Sequence, residues 1–544
     1  MNQSLGNQRL LSDDEIRDAL ASGDLHALER LFDLLWYDLP SRFAPEIIAI
    51  TGDLEPQVFE RRARLLHVSL LAHHRQFYAT GDVELRKVLQ VFATQGRRYA
   101  SKLATFSHPS DLLSAGTIAV ISARLRGAYI ESERIGAWVD QQVALRMSRD
   151  ALPWGRTRLT FKPGWLSTQR GLTATLAGDL DSAVRLFTRA HTEAAPAPLG
   201  HFAGANAVAN LALLAAYRGH LGLAGRWLTD LDTMGPVPDW IEHLTNMGAK
   251  IARAIVAIEE GDADRARSLL DEVGPPTQGI ELWSFVAYAH ASFDALFGDP
   301  RQGLARLEEA RFSQGAIEVR PTTMVGELVL RSEAKLLLRT RNGHRVLALA
   351  HKHPDVQPLI QHVAWVHLLA GDHHRAIKTA AQTLHHAQPT SVSERISLHL
   401  VLAVAHLREG DDERAAQAFE TAVHSRSSPA HIKPFLLVSS EELRRLAKLA
   451  NVANPLAVTV VPAQPNLPRA VALINLTRRE QAVLEALNEG STAQQAADLF
   501  GVSITTVRSQ IQSIYKKLGT SKRSQALARA QELGLLKGAG RRRT

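Results

Sequence analysis

Six times in the middle of this 544-residue chain a glycine, usually followed by aspartate, introduces a run with small residues and Leu or Phe on one helical face. The phrases read AGDLDSAVRLFTRA, RGHLGLAGRWLTDL, EGDADRARSLLDEV, FGDPRQGLARLEEA, AGDHHRAIKTAAQT and EGDDERAAQAFETA. Their glycines are Gly178, Gly219, Gly261, Gly298, Gly371 and Gly410, and most neighbours lie 37 to 42 residues apart. A weaker copy, RNGHRVLALA at Gly343, divides the one long interval. Glycine can end a helix in the left-handed conformation, and an aspartate after it can cap the next helix. Apolar stretches such as NAVANLALLAAYR and SLHLVLAVAHLRE lie between the phrases. The unit is therefore a helix, a tight turn and a second helix, and stacked units of this period form an α-solenoid.

The phrases resemble tetratricopeptide repeats, with Ala or Gly where helices approach and a large apolar residue a turn later, although the period is looser. They cover roughly Leu166 to Leu449, and a solenoid of this kind offers a long surface for a peptide, a protein or a small ligand. Residues 1–150 have helical pattern, and GDLHALERLFDLLW and GDVELRKVLQVFAT echo the same turn at irregular spacing. The Pro-, Gly- and aromatic-rich stretch Leu152 to Trp165 reads as a joint, giving expected segments 1–150, 151–165 and 166–450. Pro455, Pro462, Pro465 and Pro468 then interrupt helix and mark a linker over 451–472. A small domain at 473–537 and a basic tail at 538–544 complete the division.

Charge separates these parts. From Asn466 onward the chain has 13 Lys and Arg against 5 Asp and Glu, while the preceding 465 residues hold 50 of each sign. The whole excess of +8 falls in the last segment, an electrostatic footprint for a polyanion. There is no cysteine, which excludes disulfides, thiolate catalysis and cysteine-bound zinc. No run approaches the roughly 18 apolar residues of a membrane span, and the opening residues lack the basic-then-apolar order of a signal peptide. A cytoplasmic protein without membrane contact is expected.

The last segment has dense helix signals. LTRREQAVLEALNEG begins with Thr477 and Glu480 as a capping box, has Val483, Leu484 and Leu487 on its apolar side, and is closed by Gly490. STAQQAADLFG repeats the device with Thr492 and Gln495 and is packed by Ala496, Ala497 and Phe500. After Gly501, Ser503 caps a longer helix, and a fourth helix is expected from about Ser521. Two helices joined by a few residues, the second the longer, outline a helix-turn-helix. In the second, Ile504, Val507, Ile511, Ile514 and Leu518 share one side. The opposite side presents Thr505, Ser509, Gln512 and Lys516, with Arg508 on its flank and no carboxylate. Arg and Gln can read guanine and adenine, and Ser or Thr can serve base or phosphate. Lys516, Lys517, Lys522 and Arg523 follow where such a helix would pass the backbone. An ordinary solvated face would mix both signs of charge.

From Leu476 to Leu536 the sequence resembles the LuxR-type (NarL-type) DNA-binding domain. The resemblance rests on Leu476, Thr477, Arg479, Glu480, Leu484 and Gly490, then Ser503, Thr506, Val507 and Arg508, then Ile514, Lys517, Leu518, Gly519 and Arg523. It implies that Arg508, Ser509 and Gln512 meet base edges. Phosphate contacts are implied for the cap threonines and for the basic residues beyond, Lys516, Lys517 and Arg523, and Thr492, Ser503, Thr505 and Thr506 are all counted among the DNA-binding residues. Double-stranded DNA is the implied partner and a homodimer the implied binding form, with Leu527, Ala530 and Leu533 either at the dimer contact or in the core. Gln510 stands where that family usually has His and Gln495 where it often has Glu, which bears on target preference. Repeats ahead of such a domain also resemble the large MalT-like regulators. Those carry a phosphate-binding loop, whereas here no Gly is followed by Lys, so no cofactor is expected.

Enzyme signatures are missing from the sequence. The pairs His73-His74, His373-His374 and His385-His386 point about 100° apart on a helix and do not share a metal, so no metal site is expected. Gly-x-Ser-x-Gly and His-Glu-x-x-His do not occur. Trp227, Trp283 and Trp365 fall at helical positions and read as core. The expectation is an all-α chain, a helical-repeat (tetratricopeptide-like) solenoid followed by a four-helix LuxR-type helix-turn-helix domain. It would act as a non-enzymatic transcription regulator whose repeats meet an unknown small-molecule or protein effector. The alternative is a repeat scaffold whose last domain contacts protein.

Overall fold

The computed structural model describes residues 11–80, 85–149, 162–194, 201–276, 281–314, 320–386, 391–457, 470–471, 473–474, 476–533 and 535–536. Most of the expected joint, most of the Pro-rich linker and the basic tail lie outside the described residues. Among the described residues the regular structure is helical, with no strand, and no helix is long and apolar enough to cross a membrane. The chain forms two compact units. One comprises Met1–Tyr217, Gly222–Arg253 and Ala316–Val319, the other Arg218–Leu221, Ala254–Gly315 and Arg320–Thr544.

In the first unit the helices from Asp13–Ala21 to Tyr129–Arg149 enclose a core containing Phe32, Phe43, Tyr99, Leu112 and Ile118. Charge is buried beside it. The Arg64 guanidinium donates to Asp111 (2.9 and 3.0 Å) and Asp33 (2.7 Å), and Arg62 reaches Glu29 at 2.8 Å. Lys162 lies 3.5 Å from Asp33 and 4.5 Å above the Phe32 ring. Burial pulls its ammonium down to about 8, against the pull of Asp33. Charges this deep are tolerated because each has an opposite partner.

Helix pairs then follow the repeated phrases. In the first unit Trp165–Ala177 packs on Leu180–Glu193. In the second, Trp283–Leu296 packs on Pro300–Ser313, Ile360–Leu369 on His373–His386, and Val392–Glu409 on Asp412–His424. Gly178, Gly261, Gly371 and Gly410 all have φ between +74° and +99°, as the turn requires. Asp179, Asp262, Asp372 and Asp411 accept from the backbone N–H three residues on, at 3.0 to 3.1 Å. Two copies solve the turn differently. Gly298 is not left-handed although Asp299 still caps its helix, and in the weakest copy Arg341 (φ +63°) takes the left-handed position ahead of Gly343.

The two helices of a pair are buried unequally. Trp283–Leu296 buries every residue except His290, whereas Pro300–Ser313 buries only Gly303, Leu307 and Ala310. The first helix therefore carries small or apolar residues nearly all round, and the second is amphipathic. Trp283 and Trp365 are core, with Trp365 Nε1 donating to Ser397 Oγ at 2.7 Å, while Trp227 is half-buried against Val208 and Ala209.

Beyond the Pro-rich stretch the chain docks again on the second unit's repeats. Val471 is 2% exposed and its N–H donates to Leu369 O at 3.0 Å. It lies over Gly343, where an added Cβ would come within 2.5 Å of Val471 Cγ1, so this position needs glycine for close approach.

Replacing Gly410 by Ala, at φ +83° with open space around it, is expected to cost about 1 kcal/mol through backbone strain alone. Gly222→Ala, also in open space but within the helix Leu221–Thr233, is expected to stabilise by up to about 1 kcal/mol. Urea denaturation of the two variants checks both signs.

Candidate nucleic-acid interface

Four short helices make the last domain: Arg478–Asn488, Ala493–Phe500, Ile504–Leu518 and Arg523–Glu532. So small a core leaves the helix ends to carry much of the local order, and each signal is made by the residues expected. Thr477 Oγ1 accepts from Glu480 N at 3.2 Å while Glu480 Oε2 accepts from Thr477 N at 2.6 Å. Thr492 and Gln495 make the same reciprocal pair at 3.2 and 2.8 Å, so Gln495 acts as a cap partner. Ser503 Oγ accepts from Thr506 N at 3.1 Å and lies 3.0 and 2.8 Å from the hydroxyls of Thr505 and Thr506. Gly490, Gly501 and Gly519 close three helices at positive φ. The fourth helix starts at Arg523, slightly later than Ser521 suggested.

The longer helix presents two distinct sides. Val507, Ile514 and Leu518 are buried with Val483, Leu484, Leu487, Ala496 and Ala497, and Ile504 and Ile511 are half-buried against them. Thr505, Thr506, Arg508, Ser509, Gln512 and Lys516 are all exposed, as are the caps Thr492 and Ser503. Gln510 is half-buried. The structure thus brings the predicted base-facing residues onto one solvent-facing side of one rigid helix.

Two predicted phosphate contacts have internal partners. Lys517 Nζ lies 2.7 Å from Glu480 Oε2, and Arg523 Nη2 donates to the carbonyl of Leu487 at the end of the first helix. Of the possible dimer residues, Ala530 and Leu533 are buried in the domain's own core and Leu527 is half-buried against it.

The residue that sequence reasoning missed is Glu480, taken only as a cap. It is 6% exposed and also accepts from Ser513 Oγ at 2.6 Å, so it joins the first helix to the longer one. Burial raises its carboxyl, but hydrogen bonds from Lys517, Ser513 and Thr477 outweigh that and hold it at about 2. The signal was present: Ser513 and Lys517 are four apart and so share one helix face.

Elsewhere, no group of three or more His, Cys, Asp or Glu among the described residues is placed to hold a metal. In the second unit Ser393, His431 and Glu259 meet, but not as a nucleophilic triad. Ser393 Oγ (2.7 Å) and Glu259 Oε2 (3.1 Å) both approach His431 Nε2, while Nδ1 faces Ser427 at 3.4 Å. A serine nucleophile needs its base and the orienting acid on opposite ring nitrogens.

Comparison with known proteins agrees with the geometry. Residues 474–530 match the family described as bacterial regulatory proteins, luxR family, so the chain carries a LuxR-type helix-turn-helix domain at this position. A protein of Serratia proteamaculans (strain 568) described as HTH-type transcriptional regulator MalT is 34% identical over 76 residues. That stretch is 14% of this chain and 8% of the relative's length. No solved structure matches the chain.

Glu480→Gln is expected to destabilise this domain by about 2 kcal/mol near neutral pH. Because the folded carboxyl sits at about 2 rather than 4.5, its contribution is complete above about pH 5 and lost as pH falls from there toward 2. Hydrogen exchange of the domain's helices in the full chain, followed against pH, should show the variant and native curves converging in acid.

Proposed function

We propose that this chain is a cytoplasmic, non-enzymatic transcription regulator that binds double-stranded DNA as a homodimer, while its helical repeats receive an effector. One observation carries the reading: the exposed side of Ile504–Leu518 holds Thr505, Arg508, Ser509, Gln512 and Lys516 without a carboxylate, within a domain matching the luxR family. A basic, carboxylate-free helix face of this width suits the major groove of B-DNA. Arg508, Ser509 and Gln512 approach base edges in this reading, and Lys516, Thr505 and Thr506 approach phosphates. The helix ends capped by Thr492 and Ser503 direct backbone N–H groups to phosphate oxygens. Lys517 and Arg523 hold the domain's shape and add to its positive field.

Signal passage to this domain is supported by the segment after the Pro-rich stretch. Val471 and Leu473 pack with the repeats, whereas Ile474 and Leu476 pack with the DNA-binding core. The His344 ring accepts from the Ile474 N–H. A shift of the helix Gly343–Lys352 on effector binding would therefore move the root of the DNA-binding domain and change how two recognition helices are spaced.

The test is retention of sheared genomic DNA by the full chain, with the retained pieces sequenced. Enrichment of a few promoter-like sites is expected; no enrichment at any salt concentration sinks the reading. Arg508→Ala should lose about 1–3 kcal/mol at one base position and relax specificity there. Lys516→Ala should weaken binding evenly across sequences and reduce the salt slope by about 1.

A further inference from the structure

We propose that the second unit's repeats bind a compact oxyanion, carried on a phosphate- or carboxylate-bearing small molecule, at the cluster formed by Lys335, Arg331, Lys433 and His362. The proposal rests on the reading of the repeats as effector receivers and gives that effector a chemical class.

The cluster draws on separate elements. Lys335 and Arg331 come from the helix Met324–Arg339, His362 from Ile360–Leu369, and Lys433 from the short turn Lys433–Leu437. Two of the three cations have carboxylate partners. Arg331 Nη1 donates to Glu327 at 3.1 Å, and Lys433 donates to Glu259, which also lies 3.1 Å from His431. Lys335 differs. Its ammonium donates to Ser292 Oγ at 2.6 Å and stands 4.3 Å over the Tyr288 ring, and among the described residues no carboxylate lies within ion-pairing distance of it. The charged groups facing it are Lys433, Arg331 and the already engaged Glu259. A hydroxyl and a ring face do not replace the hydration of an enclosed ammonium.

A second observation points to the same place. His362 is 7% exposed, and its Nε2 is buried with no hydrogen-bond partner among the described residues. Burial, then Lys335, Arg331 and Lys433 beside it, keep the ring well below the usual imidazole range and hence neutral. A neutral ring in the right tautomer donates to an anion. An unmatched ammonium and an orphaned ring nitrogen would both be satisfied by one oxyanion, which accepts charge-assisted hydrogen bonds. By area Lys335 is half-buried and the Lys433 side chain keeps 13% exposure, whereas Arg331 is 3% exposed.

The experiment uses the full chain in phosphate, succinate or chloride at equal ionic strength, with thermal unfolding as the readout. Phosphate or succinate is expected to raise the transition above its value in chloride, and whichever acts identifies the effector's head group. Lys335→Met is expected to unfold no earlier than the native chain in chloride and to weaken the oxyanion at least roughly tenfold. Lys352→Met, at an exposed lysine, should leave the effect intact. Acetylation with acetic anhydride gives a readout that needs no variant: the active oxyanion should protect Lys335 and not Lys352. No shift over chloride, a shift retained by Lys335→Met, or no protection of Lys335 overturns the proposal. DNA retention in the same buffers, native against Lys335→Met, separates the two readings. Oxyanion binding without any effect on retention retires sensing and keeps the site. Retention that responds to another metabolite in a chain that binds no oxyanion retires the site and keeps sensing.

Discussion

The repeats depend on enclosing the first helix of each pair on nearly every side. A lone pair covers only one side of that helix, so the next pair must supply the other, and stability is built by neighbours. The requirement explains the composition of these helices: Ala205, Ala209 and Ala212 along His201–Tyr217, and Ala287, Ala289 and Ala291 along Trp283–Leu296, are buried where backbones approach. It also sets a strict condition on polar side chains carried by the same helices. Asn206 meets it by donating to the carbonyls of Leu244 and Thr245 at 2.9 and 3.2 Å, and Trp365 meets it through Ser397. Lys335 and His362 do not meet it fully: the ammonium has no carboxylate within ion-pairing distance among the described residues, and the ring Nε2 has no hydrogen-bond partner there.

The DNA-binding domain works under the opposite limit. About sixty residues bury little apolar area, so each helix end and each buried charge matters more. Glu480 concentrates three tasks in one carboxylate: it closes the first helix's cap, receives Ser513 and anchors Lys517. The angle at which Ile504–Leu518 is presented depends on that contact as well as on Val507 and Ile514 in the core. That packing holds six exposed polar residues, Thr505, Thr506, Arg508, Ser509, Gln512 and Lys516, on a single helix.

Much of the fold was legible because its punctuation is local. A glycine followed by aspartate imposes a turn and a cap wherever it occurs, and Thr477, Thr492 and Ser503 cap their helices by contacts three residues away. The exposed face of the recognition helix was legible for a similar reason, since helical spacing alone separates Arg508, Gln512 and Lys516 from Val507, Ile511 and Ile514. Charge misled where distance in sequence hid a partner. Lys517 and Arg523 looked like free cations, yet Glu480 and the Leu487 carbonyl lie 37 and 36 residues away.

The sequence by itself determined helix, turn and cap, the repeat period, and the single carboxylate-free face near its end, because each follows from interactions within one or two helical turns. Tertiary structure decided which charges are matched and which are left over. It placed Lys517 against Glu480, Lys433 against Glu259, and Lys335 with no carboxylate within ion-pairing distance among the described residues. It also decided that Val471 would lie on Gly343 and so tie the last domain to the repeats. Those outcomes depend on the distance between side chains from separate helices, and packing fixes that distance after each helix has taken its local form.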